Sequence, residues 1–387
     1  MAPPQHAPRS WSALQADLGD IILRRLEHHA DRVRFGAVCR EWRSCTRRNA
    51  PPARLFPWLA LPDRTFYSLP DSAFQPPPPR PHLERHRQLP HAQSSCGEWL
   101  VFERMDGAYT LVNPFSMSTT MVLPRLSSTE PLMRKLVVCL PNLVAAVVGA
   151  GEGWPHKLAL CRPGAASSSW AVVAHDQLES LEDMIWYRGK LYALQQGNHG
   201  SLLCVSMGGE DGEPTVSRVD DAIVEGLRWG FTTSPLQYLL ESDGALLMVR
   251  REDPNIQGHH SHFVGLGLER ATKFKVFKAD LARSRWTELS SVGEDRVLFV
   301  QRWCSRAVRV PEQCKEYVAG DRIFFVDDAA ARGYNCSYYR KKVSFYCSIY
   351  DMRKRRSQTY LATKVRPLKG FPVAWLFRGS EHACVNN

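Results

Sequence analysis

A chain of 387 residues, 44% hydrophobic and 10% aromatic, can bury a substantial core in two or three domains, which excludes a disulfide-stapled miniprotein and a globally disordered polymer. Its 50 Lys+Arg against 39 Asp+Glu give a formal charge of +11, and only 12 of the 50 are Lys, so Arg carries the excess and nucleic acid is one partner class to weigh. Eleven cysteines form neither a CxxC pair nor a Cys/His cluster of zinc-finger spacing, so they are expected to be reduced thiols packed in strands and helices.

The first residues, Met1 to Trp11, lack the apolar run of a signal peptide. The most apolar stretch, Leu136 to Gly151, is interrupted by Pro141 and Asn142, so no membrane span is expected and the protein is read as soluble and intracellular. Between Ser10 and Arg48 the pattern is helical. Leu14, Leu18, Ile22 and Leu26 recur every four residues, with Ile21 beside them, and so share one helix face. Asp17 and Asp20 near the start and Arg24 and Arg25 near the end suit the helix dipole. A second helix is predicted from about Asp31 through Val33, Phe35, Val38, Trp42 and Cys45, with arginines on its other faces. Two helices this short cannot make a stable core alone, so they are expected to pack on something else.

Residues 1–95 hold 14 of the 26 prolines, including the run Pro76 to Pro79, which favours extended chain and cannot continue a helix. A Pro-rich linker is therefore placed at 51–95. From Cys96 onward the sequence reads as short β-strands, for example Tyr109 to Val112, Lys190 to Leu194, Ala245 to Val249 and Arg322 to Val326. Turn signals separate them at Asp106-Gly107, Asn113-Pro114, Arg188-Gly189, Asp243-Gly244 and Gly320-Asp321. Asp176 to Met184 is the one place where a turn or two of helix is expected. The stretches Leu158 to Trp170, Val276 to Trp286 and Phe345 to Tyr360 each read as strand, polar turn, strand. Diverged repetition over about 290 residues, at ~40–50 per blade, suits a six- or seven-bladed β-propeller; an array of β-sandwiches is the competing all-β architecture.

The helical segment resembles an F-box. The resemblance rests on Trp11 to Leu18, the apolar residues Ile21, Ile22 and Leu26, and the closing run Val38-Cys39-Arg40-Glu41-Trp42-Arg43. It departs from the family pattern at Gln15, where Pro is usual, and at Gly19, where a second Leu is common. The whole chain resembles plant F-box proteins with a C-terminal KIB-type domain, through Asn113 to Phe115, Trp186 to Tyr192, Phe277 to Leu289 and the Gly320 to Phe325 run. That resemblance implies an α+β multidomain chain: an F-box at 8–50, the linker, and a mostly-β propeller at 96–387 that recruits a protein substrate. It also implies a receptor subunit of a cullin-RING (SCF-type) ubiquitin ligase, with Leu14, Leu18, Ile22, Leu26, Val33, Val38 and Trp42 contacting a Skp-type adaptor. Trp42 could equally be an internal brace.

Candidate chemistry is sparse. His28-His29 and His259, His260 and His262 are the only dense histidine groups, the second in a loop where adjacent side chains point apart. No GxSxG, HExxH or P-loop occurs, and the glycines at 149–153 lack the Lys and helix of a phosphate cradle. No catalytic residue, cofactor or metal is expected. Arg353, Lys354, Arg355 and Arg356 form the densest basic run, read as a hairpin turn that could serve as a nuclear-import patch, an acidic-partner contact or an anion surface. Nucleic acid is disfavoured because no recognised fold or aromatic stacking platform accompanies it. The expected location is nucleus or cytoplasm, and a scaffold or nuclear regulator acting without ubiquitination is the alternative role.

Overall fold

The computed structural model describes residues 16–26, 35–48, 56–61, 65–69, 73–75, 91–104, 106–113, 120–129, 132–150, 155–164, 169–196, 200–208, 214–224, 235–252, 272–310, 312, 315, 318–326, 343–365 and 373–377. Among the described residues, helix α1 (Ala16–Arg25), a helical turn at 35–38 and helix α2 (Arg40–Arg48) are followed by 25 strands gathered in six sheets. The fold is mostly β, a six-bladed propeller with a few short N-terminal helices, and its ring closure excludes an array of separate sandwiches.

Blade 1 contains β1 (Trp58–Ala60), β2 (Phe66–Ser68) and β3 (Ala73–Gln75), completed by the last strand of the chain, β25 (Ala374–Leu376), paired to β1. Blade 2 is β4 (His91–Cys96), β5 (Trp99–Glu103), β6 (Tyr109–Val112) and β7 (Thr120–Leu123). Blade 3 is β8 (Leu132–Leu140), β9 (Leu143–Gly149), β10 (His156–Cys161) and β11 (Ala171–Val172). Blade 4 is β12 (Leu181–Tyr187), β13 (Lys190–Gln195), β14 (Leu202–Gly208) and β15 (Thr215–Ile223). Blade 5 is β16 (Leu236–Ser242), β17 (Ala245–Glu252), β18 (Lys273–Asp280) and β19 (Arg285–Leu289). Blade 6 has five strands in the order β21 (Arg306–Arg309), β20 (Arg296–Val300), β22 (Arg322–Val326), β23 (Val343–Asp351), β24 (Arg356–Val365), with β20 and β22 parallel.

Strand periodicity explains the ring. Successive side chains of a strand point to opposite faces, so a blade packed on both sides needs both faces apolar. In β9, Val144, Ala146 and Val148 join the blade 2–3 core, while Ala145 and Val147 join the blade 3–4 core. Likewise in β20, Val297 and Phe299 face blade 1, and Leu298 and Val300 face blade 5. Six such cores run around the molecule, one at each seam, and the seam between blades 1 and 2 is filled by Ala60, Phe66, Leu100, Phe102, Ala374 and Leu376.

Several expectations are corrected. The span expected as linker, 51–95, holds β1, β2, β3 and most of β4, so blade-forming sequence starts at Trp58 rather than residue 96. Proline-dense sequence concealed strands of three residues, whose missing donors fall between them. Pro76 to Pro79 lie outside the described residues. The second predicted helix is two pieces, 35–38 and α2, broken at Cys39. Asp176 to Met184 is a 3-10 turn (Asp176–Leu178) followed by the start of β12. The turn signals fared better: Arg188-Gly189 and Asp243-Gly244 have φ of 49° and 74°, and 48° and 71°, the left-handed pair that a two-residue hairpin requires.

Candidate functional site

Among the described residues the helical segment buries Leu23, Phe35 and Cys45 together, with Ile22, Leu26 and Trp42 packed partly against them. Close approach of the helices depends on Gly19. A Cβ there would lie 3.1 Å from Cys45 Sγ, so the residue that departs from the F-box pattern is the contact point between α1 and α2. The closing run also divides by role. Cys39 is the N-cap of α2, its Sγ accepting from Trp42 N at 3.4 Å, and the Trp42 ring stacks on Phe35 with centroids 4.2 Å apart. Val38, between them in sequence, is 58% exposed.

Leu18 and Ile21, one helical turn apart, are 46% and 49% exposed. Together with Val38 they are three of the five large exposed apolar side chains among the described residues, the others being Val122 and Val224. Of the residues expected to meet an adaptor, Leu18 and Val38 thus stand in solvent, whereas Ile22, Leu26 and Trp42 are half-buried on the helical core; Leu14 and Val33 lie outside the described residues. Ile21 was not among the expected contacts. Its signal was the i, i+3 spacing from Leu18, on a stripe next to the one that the four-residue repeat picks out.

In the propeller, the edge strands β8, β12 and β16 of blades 3, 4 and 5 lie side by side, and a buried ion pair joins the first two. Asp183 on β12 accepts from Lys135 Nζ on β8, from Met184 N at 2.7 Å, and from Leu239 N on β16 at 2.7 Å. One carboxylate thereby ties blades 3, 4 and 5. Burial pushes the Asp183 carboxyl up, and Lys135 with the two N–H donors opposes that shift. Sequence reading missed the pair, although the charged doublets Arg134-Lys135 inside Leu132 to Leu140 and Glu182-Asp183 inside Leu181 to Tyr187 were its visible trace.

The basic run occupies the turn between β23 and β24, as expected. Arg353 is committed to the fold: its Nε donates to buried Asp321 at 2.8 Å and its NH2 lies 3.3 Å from Glu294. Lys354 approaches Asp351 at 3.9 Å, while Arg355 and Arg356 are exposed. Among the described residues no group of three or more His, Cys, Asp or Glu could hold a metal ion, and the histidines at 259–262 lie outside them. Among those residues, too, no helix is long and apolar enough to cross a membrane.

Comparison with known proteins bears on the propeller. The family model of the KIB1-4 beta-propeller matches residues 66–351, starting inside the span expected as linker. No curated protein matches. Among solved structures, the Neurospora crassa Pan2 WD40 domain is 11% identical, covering 76% of this chain and 71% of that one at a TM-score of 0.32. The N-terminal domain of Nup159 is 8% identical, covering 76% and 65% at 0.27. A point mutant of the Synechocystis apocarotenoid oxygenase is 10% identical, covering 72% and 71% at 0.30. Likeness at these scores says nothing about what this chain binds.

Proposed function

Because this chain belongs to the KIB1-4 β-propeller family, a fold consistent with a protein-interaction domain, we propose that it is a substrate receptor of a cullin-RING ubiquitin ligase. In this reading the helical segment is an F-box that docks on a Skp-type adaptor, and through it a cullin, while the propeller holds a protein target in the nucleus or cytoplasm. The chain contributes proximity and orientation rather than catalytic groups.

The observation that carries the reading is the exposure of Leu18, Ile21 and Val38, three large apolar side chains on helical residues whose described part buries Leu23, Phe35 and Cys45. Large apolar side chains left in water gain from a partner that covers them. The F-box-like sequence names the kind of partner.

Co-expression of the full chain with a Skp-type adaptor tests this. The wild type is expected to co-purify with the adaptor, and Leu18→Glu/Ile21→Glu/Val38→Glu is expected to lose it while keeping the thermal unfolding of the propeller. Retention of the adaptor by the triple variant removes the docking assignment. Adaptor binding with no ubiquitination of any propeller-bound protein in a reconstituted ligase favours the scaffold role.

A further inference from the structure

Blades 5 and 6 carry the same turn between their last two strands. In blade 5, Asp280 pairs with Arg285 across the ladder, Arg283 N donates to Asp280 Oδ1 at 3.2 Å, and Ser284 has φ of 48°. In blade 6, Asp351 pairs with Arg356, Lys354 N donates to Asp351 Oδ1 at 2.9 Å, and Arg355 has φ of 51°. An aspartate thus anchors both turns, and both place a left-handed residue just before the returning strand. What differs is the charge. Asp280 lies 3.5 Å from Arg283 and 3.9 Å from Arg285, so one carboxylate serves both guanidinium groups of its turn. In blade 6 the carboxylates of Asp321 and Glu294 take Arg353, and Asp351 takes Lys354. Among the described residues none is left within ion-pair distance of Arg355 or Arg356.

An arginine in a left-handed conformation, where its neighbour blade manages with Ser284, is a local departure that the turn itself does not require. The turn is also held still: Asp351 bonds two of its N–H groups, and Arg353 ties it to Asp321, just before β22. A fixed turn presenting two adjacent uncompensated guanidinium groups matches the recognition of carboxylates or phosphate groups by forked, charge-assisted hydrogen bonds.

We infer that the Lys354-Arg355-Arg356 turn is a docking site for an acidic segment of a protein partner. A nucleic acid is the poorer fit. Strand binding needs a basic track several nucleotides long with aromatic faces for the bases, and this turn offers a single short cluster. An import receptor is poorer also, since the run is folded into a tight turn and its first arginine is bonded into the blade.

The test uses the full chain and three labelled ten-residue probes, a Glu/Asp-rich peptide, a Ser-rich peptide and single-stranded DNA, read by fluorescence anisotropy. In the variant Arg355→Ser/Arg356→Ser the first change copies Ser284 of the blade 5 turn and the second shortens an exposed side chain, so its thermal unfolding should match wild type. Expected is binding of the acidic peptide that weakens with added salt and falls about tenfold or more in the variant, the scale of one lost charge-assisted bond. Arg355→Lys/Arg356→Lys should keep part of it. The proposal fails if the acidic peptide binds no better than the Ser-rich one, if the double Ser variant binds it unchanged, or if the DNA binds more tightly with the same dependence on these residues. Adaptor co-purification is independent of this result.

Discussion

Gln301 holds Trp375 by the backbone: Trp375 N donates to Gln301 Oε1 at 3.1 Å, and the other end of the same amide, Nε2, donates to Val373 O. Both groups are buried, and β25 is only three residues long. The strand that closes the ring therefore depends on blade 6 as well as on β1, to which it is paired from the far end of the chain. Replacing Gln301 with Leu leaves a buried carbonyl and a buried N–H without this partner, at roughly 1–3 kcal/mol each. Urea unfolding of Gln301→Leu should show a loss of about 2–6 kcal/mol; a loss within ~0.5 kcal/mol, the range of ordinary surface substitutions, would mean that the amide does not secure the seam.

Much of the propeller was readable because its determinants are local. Arg188-Gly189 and Asp243-Gly244 announce hairpins by turn chemistry alone, and Arg322 to Val326 has the bounds of β22. Blade 1 was hidden because its strands are three residues long, too short for period-two alternation to show, and because one of its members, β25, lies about 300 residues from the others. Pairing between chain ends leaves no local signal. Of the helical surface, Leu18 and Val38 were legible, but which apolar residues face inward depended on Gly19, whose role appears only when α1 and α2 are brought together.

Lys135 and Asp183 should be unequal partners under mutation. Lys135→Met strands a carboxylate bonded only by two N–H groups in a buried site, for which loss of one ion-pair partner costs roughly 3–5 kcal/mol. The cost should depend on pH. Burial already pushes the Asp183 carboxyl up, and the opposition from Lys135 is then gone. With a folded-state pKa above the unfolded one, the folded chain binds the extra proton, so the variant regains stability as pH falls through that raised value and is weakest at neutral pH. Thermal unfolding of Lys135→Met at pH 7 and pH 5 measures it; a variant no better relative to wild type at the lower pH contradicts the assignment.

Asp321 has the opposite sign. Burial raises its carboxyl, but the Ser291 hydroxyl, the Arg353 guanidinium and the N–H groups of Val292 and Gly293 outweigh burial and hold it below the usual carboxylate range. The stability it supplies is full above the unfolded value of 3.8 and is lost as pH falls through the lower folded value. Asp321→Asn should therefore be destabilised at neutral pH by about 1–3 kcal/mol, the usual cost of losing charge-assisted bonds, and its deficit should shrink in acid. A deficit constant from pH 7 to pH 3 would falsify the charged role of Asp321 in joining the 291–296 segment to the β23–β24 turn.

Gly19 offers a test in which a loss can be reversed. Its Cβ position is 3.1 Å from Cys45 Sγ and 3.7 Å from Cys45 Cβ, so Gly19→Leu, which restores the residue common in F-box sequences, must push α1 away from α2. Overpacking of this kind costs roughly 1–3 kcal/mol, a large loss for a core of Leu23, Phe35 and Cys45. Gly19→Ala introduces only the Cβ, and Cys45→Ala removes the sulfur that it meets. Hydrogen exchange across 16–25 and 40–48 in the full chain should therefore accelerate in Gly19→Leu, accelerate less in Gly19→Ala, and return toward wild type in Gly19→Ala/Cys45→Ala. Ala at position 19 also raises helix propensity by about 1 kcal/mol over Gly, so the double variant has a gain to set against the lost sulfur packing. Equal protection in wild type and Gly19→Leu would show that the helices have room for a side chain there, and the departure from the F-box pattern would then have no packing cause.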